Sequence, residues 1–208
     1  MIGSIYLIGG GEIREGETHQ IDEDLKSLAS EGSIFAFFGF AAQDSVAYSD
    51  AITSVFGDKF KVLVATEKKG RDYALNAIRS ASLIYLGGGD THRLMQLFSE
   101  WDLVEHLIIA LERGVHIAGM SAGAQALSSW YIHEDNDVFE VRKGWGIAPV
   151  GTLVHANQDS FDKARSVWTS FYKAGQCPFV GIGEGAAWRI DSVGEQKIGS
   201  GNIWRMNC

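Results

Sequence analysis

Residues 115–124 constrain this chain more than any other stretch. Val115, His116, Ile117 and Ala118 have the short apolar pattern of a buried strand. The run passes at once into Gly119-Met120-Ser121-Ala122-Gly123, then into small, helix-favouring residues through Leu127. A strand that turns sharply into a helix at G-x-S-x-G is the setting of a nucleophile elbow. The flanking glycines allow a strained, crowded turn that holds the Ser121 hydroxyl clear of the sheet. The helix that follows aims its first N–H groups at the same spot, where a developing oxyanion would be stabilised. Ser121 is therefore a candidate nucleophile and the Ala122 N–H a candidate oxyanion donor. The competing reading is a Gly/Ala turn that only lets strand and helix pack closely; the flanking strand and helix favour the nucleophile.

Around this stretch the chain alternates strand and helix. Apolar runs at residues 4–8, 33–40, 60–65 and 82–86 read as strands, the second apolar almost throughout, as in a strand buried on both faces. Helical spacing covers residues 19–30, then a stretch through about 56 that Asp44 could cap, then 71–80, 92–98 and 101–113. Strands regularly separated by helices predict an α/β fold of three layers, a mostly parallel sheet with helices on both faces. After the elbow the pattern changes. Residues 132–142 are rich in charge and read as a loop or edge hairpin, residues 152–155 as a short strand ending on His155. A helix with Phe161, Val167, Trp168 and Phe171 follows, then a strand and turn at 179–185. Residues 186–190, 196–198 and 202–206 look like short antiparallel strands. The 208 residues read as one domain, 1–208.

Ligands in such sheets bind outside the carboxyl ends of the strands. Three features gather at strand ends besides Ser121: the turn Gly87-Gly88-Gly89-Asp90, His155, and Glu184 in a glycine-flanked turn. The glycine turn can bring backbone N–H groups close to a substrate, so Gly88 and Gly89 are candidate donors opposite Ala122. The other histidines suit the role of general base less well. His19, His92 and His106 fall in predicted helices, His133 in a polar loop, and His116 inside the strand feeding the elbow, where a satisfied core histidine is expected. For the acid that would orient His155, Glu184 in its glycine-flanked turn at a strand end is favoured over the alternatives Asp135 and Asp137, which lie in a charge run of the kind more often found as a solvated loop. No two histidines have metal-ligand spacing, and no metal or cofactor is expected. Gly9-Gly10-Gly11 after the first strand invites a phosphate-loop reading, but it lacks G-x-G-x-x-G spacing and any Gly-Lys-Ser/Thr.

Composition narrows the partners. A net charge of −8 with no Lys/Arg cluster argues against nucleic acid or an anionic membrane surface. Cys177 and Cys208 are the only cysteines, which is no disulfide framework and fits a reducing cytoplasm. The first six residues lack a basic region and cleavage site, and no apolar run reaches membrane-span length, so a cytoplasmic protein, monomeric or a small homo-oligomer, is expected.

The glycine turn at 87–91, the elbow at 119–124, the Pro149…His155 spacing and Gly181-Ile182-Gly183-Glu184-Gly185 occur in one order across most of the chain. In that order they resemble the peptidase E (aspartyl dipeptidase) family, to which cyanophycinase is related, with its class I glutamine amidotransferase-like, flavodoxin-like fold. The resemblance implies a serine hydrolase of small peptides, without a cofactor and working through an acyl-enzyme. Ser121 would be nucleophile, His155 general base and Glu184 the orienting acid, although family members also carry an Asp in the loop that holds Asp135 and Asp137. Gly88 or Gly89 with Ala122 would bind the oxyanion. The family's aspartyl specificity needs a cation, and Arg165 is the nearest after His155. Asp90 stands where the family usually has Asn and could meet a substrate amine. The order Ser…His…Glu differs from the Ser…Asp/Glu…His of α/β-hydrolases. Two further readings are a related amide, ester or cyanophycin-like peptide hydrolase and a non-catalytic binding domain of the same fold.

Overall fold

Tyr6 and Ile8 turn to one face of the first strand and Ile5 and Leu7 to the other, and all four are buried. That alternation on a strand covered on both sides sets the layering of the whole molecule. The computed structural model describes residues 2–171 and 178–206; Cys177 and Cys208 lie outside the described residues. The elements in chain order are β1 (Ile5–Ile8), α1 (His19–Ser27), β2 (Ile34–Phe38), α2 (Val46–Phe56), β3 (Lys61–Ala65), α3 (Gly70–Ser80) and β4 (Leu83–Leu86). Next come α4 (Thr91–Glu100), α5 (Val104–Glu112), β5 (His116–Met120) and α6 (Ala122–Leu127). The chain continues with β6 (Ser128–Asp135), β7 (Val138–Lys143), β8 (Ala148–Leu153), α7 (Gln158–Phe171), β9 (Phe179–Ile182), β10 (Ala186–Asp191), β11 (Gly194–Gly199) and β12 (Ile203–Met206).

A seven-stranded sheet runs β11-β10-β1-β5-β4-β2-β3, its last five strands all parallel and β10 and β11 antiparallel at one edge. This is the expected mostly parallel α/β sheet with antiparallel strands late in the chain. One face packs on α1 and α2 through Ile21, Leu25, Ile52 and Phe56. The other packs on α3 to α6, with Ile78, Phe98, Leu107 and Leu127 at the contact.

The strands after the elbow do not all join that sheet. They form a second one, β12-β9-β8-β6-β7, covered by α7 through Phe161 and Trp168. The charged stretch expected as a loop or edge hairpin is the β6–β7 hairpin, on the edge of this second sheet. The chain passes back from β9 in the second sheet to β10 in the first over Gly183-Glu184-Gly185, so Glu184 lies on the bridge between the two. Helix α2 is capped by Ser45, whose Oγ accepts from Tyr48 N, and not by Asp44, whose Oδ2 accepts from Glu67 N at 2.7 Å. His116 is the satisfied histidine expected, its Nδ1 accepting from Ser4 N at 3.1 Å. Among the described residues no helix is long and apolar enough to cross a membrane.

One buried charge stands out. Asp22 on α1 is 2% exposed; its Oδ2 accepts from Thr18 Oγ1 at 2.8 Å, while Oδ1 has no protein partner. Burial pushes its carboxyl up from 3.8 to about 6. The native state then holds a proton that the unfolded chain has already released, so stability should fall as pH rises from about 4 to about 6 and level off above. Asp22→Asn removes this term. Relative to the parent protein, the variant should gain about 2–3 kcal/mol between pH 4 and pH 7. Urea unfolding of both proteins at the two pH values measures it, and parallel pH dependences would show that folding does not raise the Asp22 carboxyl.

Candidate active site

The carbonyls of Ile8, the last residue of β1, and of Gly9 and Gly10 just beyond it hold three other segments. Ile8 O accepts from Ser121 N at 2.9 Å, Gly9 O from His155 N at 3.0 Å and Gly10 O from Gly185 N at 3.1 Å. Three consecutive carbonyls thus fix the backbone at the elbow, at the histidine and beside Glu184.

The elbow forms as its sequence suggests. Ser121 links β5 to α6 with φ 49° and ψ −105°, a region that non-glycine residues seldom occupy. Gly119 and Gly123 are required by space: a methyl on Gly119 would collide with the Gly123 backbone, and one on Gly123 with Leu86 O. His155, just beyond β8, also has positive φ, 52°. Each such residue costs on the order of 1–3 kcal/mol and persists only where its surroundings hold it.

The side chains then converge. Ser121 Oγ lies 2.7 Å from His155 Nε2, and His155 Nδ1 lies 2.5 Å from Glu184 Oε1. With Nδ1 protonated and donating to Glu184, Nε2 is free to accept the Ser121 proton, the arrangement general-base activation of a hydroxyl requires. Gly10 packs against this pair so tightly that a methyl there would collide with Glu184 Oε2 and lie 2.5 Å from His155 Nδ1. The glycine turn that invited a phosphate-loop reading is thus the backing of the His–Glu pair. Its role was not visible in the sequence, because its partners are more than 140 positions away.

A cleft of about 480 Å³ opens over Ser121 and His155. Its lining includes Gly10, Gly11, Glu12 and Arg14 from the segment after β1, with Tyr48, Gly88, Gly89 and Met120. Of the expected backbone donors, Gly88 N–H is engaged, donating to Tyr48 Oη at 3.3 Å, and that hydroxyl in turn donates to Met120 Sδ at 3.3 Å. Burial pushes the Tyr48 phenol up to about 12, so it stays a neutral donor near neutrality. The N–H groups of Gly89 and Ala122 have no acceptor among the described residues.

Other expected residues lie elsewhere. Asp135 and Asp137 sit at the tip of the β6–β7 hairpin, where Asp137 Oδ1 pairs with Lys163 Nζ at 3.2 Å and Asp135 accepts from Asn136. Neither approaches His155. Arg165 is on α7, ion-paired with Asp162 at 3.3 Å and absent from the cleft walls. Asp90 is turned into the fold's own service, its Oδ1 accepting from Arg93 N as the N-cap of α4. Glu12, Arg14 and Tyr48 were not singled out from sequence, since nothing local distinguishes them from surface or core residues. Among the described residues no group of three His, Cys, Asp or Glu side chains could hold a metal ion.

Residues 5–197 match the model of peptidase family S51. The uncharacterized peptidase YgaJ of Bacillus subtilis (strain 168) is 29% identical over 123 residues, 58% of this chain and 54% of that protein. The chain thus spans about half the length of the curated relative it matches. Two solved structures share the fold. One is a peptidase from an acI-B1 Actinobacterium, with 23% identity and TM-score 0.70, covering 100% of this chain and 95% of that one. The other, a Listeria monocytogenes EGD-e protein provisionally named peptidase E, has 14% identity and TM-score 0.67, covering 96% and 100% respectively.

The tight contact at Gly10 makes a test of the site geometry. Gly10→Ala should push the His155–Glu184 pair out of line and slow labelling of Ser121 by a serine-directed fluorophosphonate about 100-fold, the scale expected for a misplacement near 1 Å. Circular dichroism should show the fold retained. Labelling at the parent rate would mean that the pair does not activate Ser121.

Proposed function

The chain belongs to peptidase family S51, and from that membership we propose that it is a serine peptidase that hydrolyses small peptides through an acyl-enzyme. The observation that carries this reading is the unbroken relay from Ser121 Oγ to His155 Nε2 and from His155 Nδ1 to Glu184, at 2.7 Å and 2.5 Å. His155 takes the Ser121 proton as Oγ attacks the carbonyl carbon of the scissile bond. Negative charge moves to the carbonyl oxygen, for which the N–H groups of Gly89 and Ala122, without an acceptor among the described residues, are the candidate donors. Glu184 stabilises the imidazolium, which then protonates the departing amine. Water enters and repeats the sequence on the acyl-enzyme, with His155 again as base. No step calls for a metal or a cofactor.

The size of the cleft suits a di- or tripeptide better than a folded protein chain. A preference for N-terminal aspartate is the finer part of the reading and rests on the family likeness. Arg165 does not support it, because it lies on α7, paired with Asp162, and is not among the residues that line the cleft. Any selection at that residue must come from groups nearer the cleft.

Turnover of Asp-X, Glu-X and Ala-X dipeptides tests the reading. Ser121→Ala should lose on the order of 10⁴-fold or more in kcat, His155→Ala a similar amount, and the double variant little beyond either, since the pair acts as a unit. Glu184→Gln should be strongly impaired while Asp137→Asn and Asp135→Asn stay near the parent value. Full activity of Ser121→Ala would remove the proposed nucleophile. A parent protein that reacts with the fluorophosphonate but cleaves no peptide would point instead to another amide or ester.

A further inference from the structure

The Glu12–Arg14 pair lies on the cleft wall and has no part in the relay. Both side chains belong to the turn that begins at Gly10 and runs through a short 3-10 helix, Ile13–Glu15. Glu12 Oε1 accepts from Arg14 N and from Arg14 Nε, each at 3.2 Å. The backbone bond ties the carboxylate to the helix start, and the second bond ties one edge of the guanidinium to the carboxylate. The opposite edge, carrying Nη1 and Nη2, has no protein acceptor among the described residues. A guanidinium held by Nε with its two Nη groups open is prepared for a planar, two-pronged anion such as a carboxylate.

Where this wall lies decides which carboxylate. The proton that His155 takes from Ser121 is returned to the leaving amine, so the leaving half of a peptide lies on the imidazole side of Ser121. Gly10 packs directly on His155, and Glu12 and Arg14 continue from it. Gly88, packed against Ser121, and Gly89 and Tyr48 in the same cleft are left for the acyl half. In a dipeptide, the leaving residue is also the last one and bears the terminal carboxylate.

We propose that Arg14, oriented by Glu12, binds the terminal carboxylate of the leaving residue and so restricts the site to peptides that end one residue beyond the scissile bond. This rests on the reading in which His155 protonates the leaving amine. Arg14 is thus a specificity residue: it selects chain length and a free C-terminus, whichever side chain the acyl residue carries. A longer peptide or a blocked terminus presents a neutral amide to a fixed cation and loses the paired hydrogen bonds.

Binding to the uncleaving Ser121→Ala protein separates this from the hydrolytic reading. Isothermal titration calorimetry with Ala-Leu and Asp-Leu, each as the free acid and as the C-terminal amide, gives the ratio of affinities. The acids should bind on the order of tenfold more tightly than the amides, and adding Arg14→Gln should bring the ratio close to one. Adding Arg14→Lys should keep part of it, because charge remains and the fork is lost. Equal affinity for acid and amide with Arg14 in place overturns the proposal. So does an Arg14→Gln loss that follows the aspartyl side chain instead of the terminus. If the acid preference is present and depends on Arg14, yet the parent protein turns over neither dipeptide, the binding role stands and the hydrolytic reading falls.

Discussion

Three successive backbone carbonyls at the end of β1 hold the candidate site together. Ile8, Gly9 and Gly10 accept from Ser121, His155 and Gly185, which come from three different crossings of the chain. Two of these donors, Ser121 and His155, have positive φ angles that non-glycine residues seldom adopt. A strained conformation survives only where several interactions agree on it. Here the same short turn supplies a hydrogen bond to each strained residue and a close surface against the side chains of His155 and Glu184. Backbone–backbone bonds involve no flexible side chain, so the position they impose is well defined.

That arrangement also explains why the site lies between two sheets. Ser121 belongs to the seven-stranded sheet, and His155 follows a strand of the five-stranded one. Glu184 sits where the chain returns from the second sheet to the first. Neither sheet could build the relay alone. Packing of Val150, Val180 and Ile182 into the same apolar cluster as Ile117 and Leu86 keeps the sheets in register across the gap. Interiors packed at this density resist small displacements, which suits a relay whose two links are 2.7 Å and 2.5 Å long.

The site is open compared with that core. The side chains of His155 and Glu184 keep 52% and 55% of their exposure. Water therefore reaches the relay, as hydrolysis of an acyl intermediate requires, and it also screens charge interactions at the rim. Under such screening the geometry of the groups counts for more than the number of charges. The surface pairs Lys163–Asp137 and Arg165–Asp162 are worth little for that reason. Arg14 is as exposed as Arg165 and likewise paired with one carboxylate, and differs from it in lining the cleft.

The sequence by itself determined the strand–turn–helix at Ser121, the parallel α/β core, and the placing of His155 and Glu184 at strand ends. All of these follow from short-range signals: apolar periodicity, glycine spacing, and the rule that parallel strands present their carboxyl ends to a ligand. The glycine-flanked turn at a strand end favoured Glu184 over Asp135 and Asp137, but only the tertiary structure brought one of these acids to His155. The second sheet, the backing turn at Gly9-Gly10-Gly11, and the presence of Arg14 but not Arg165 at the cleft were illegible for the same reason. Each depends on contacts between segments far apart in the chain. No local pattern records how close two such segments come until packing of the whole core brings them together.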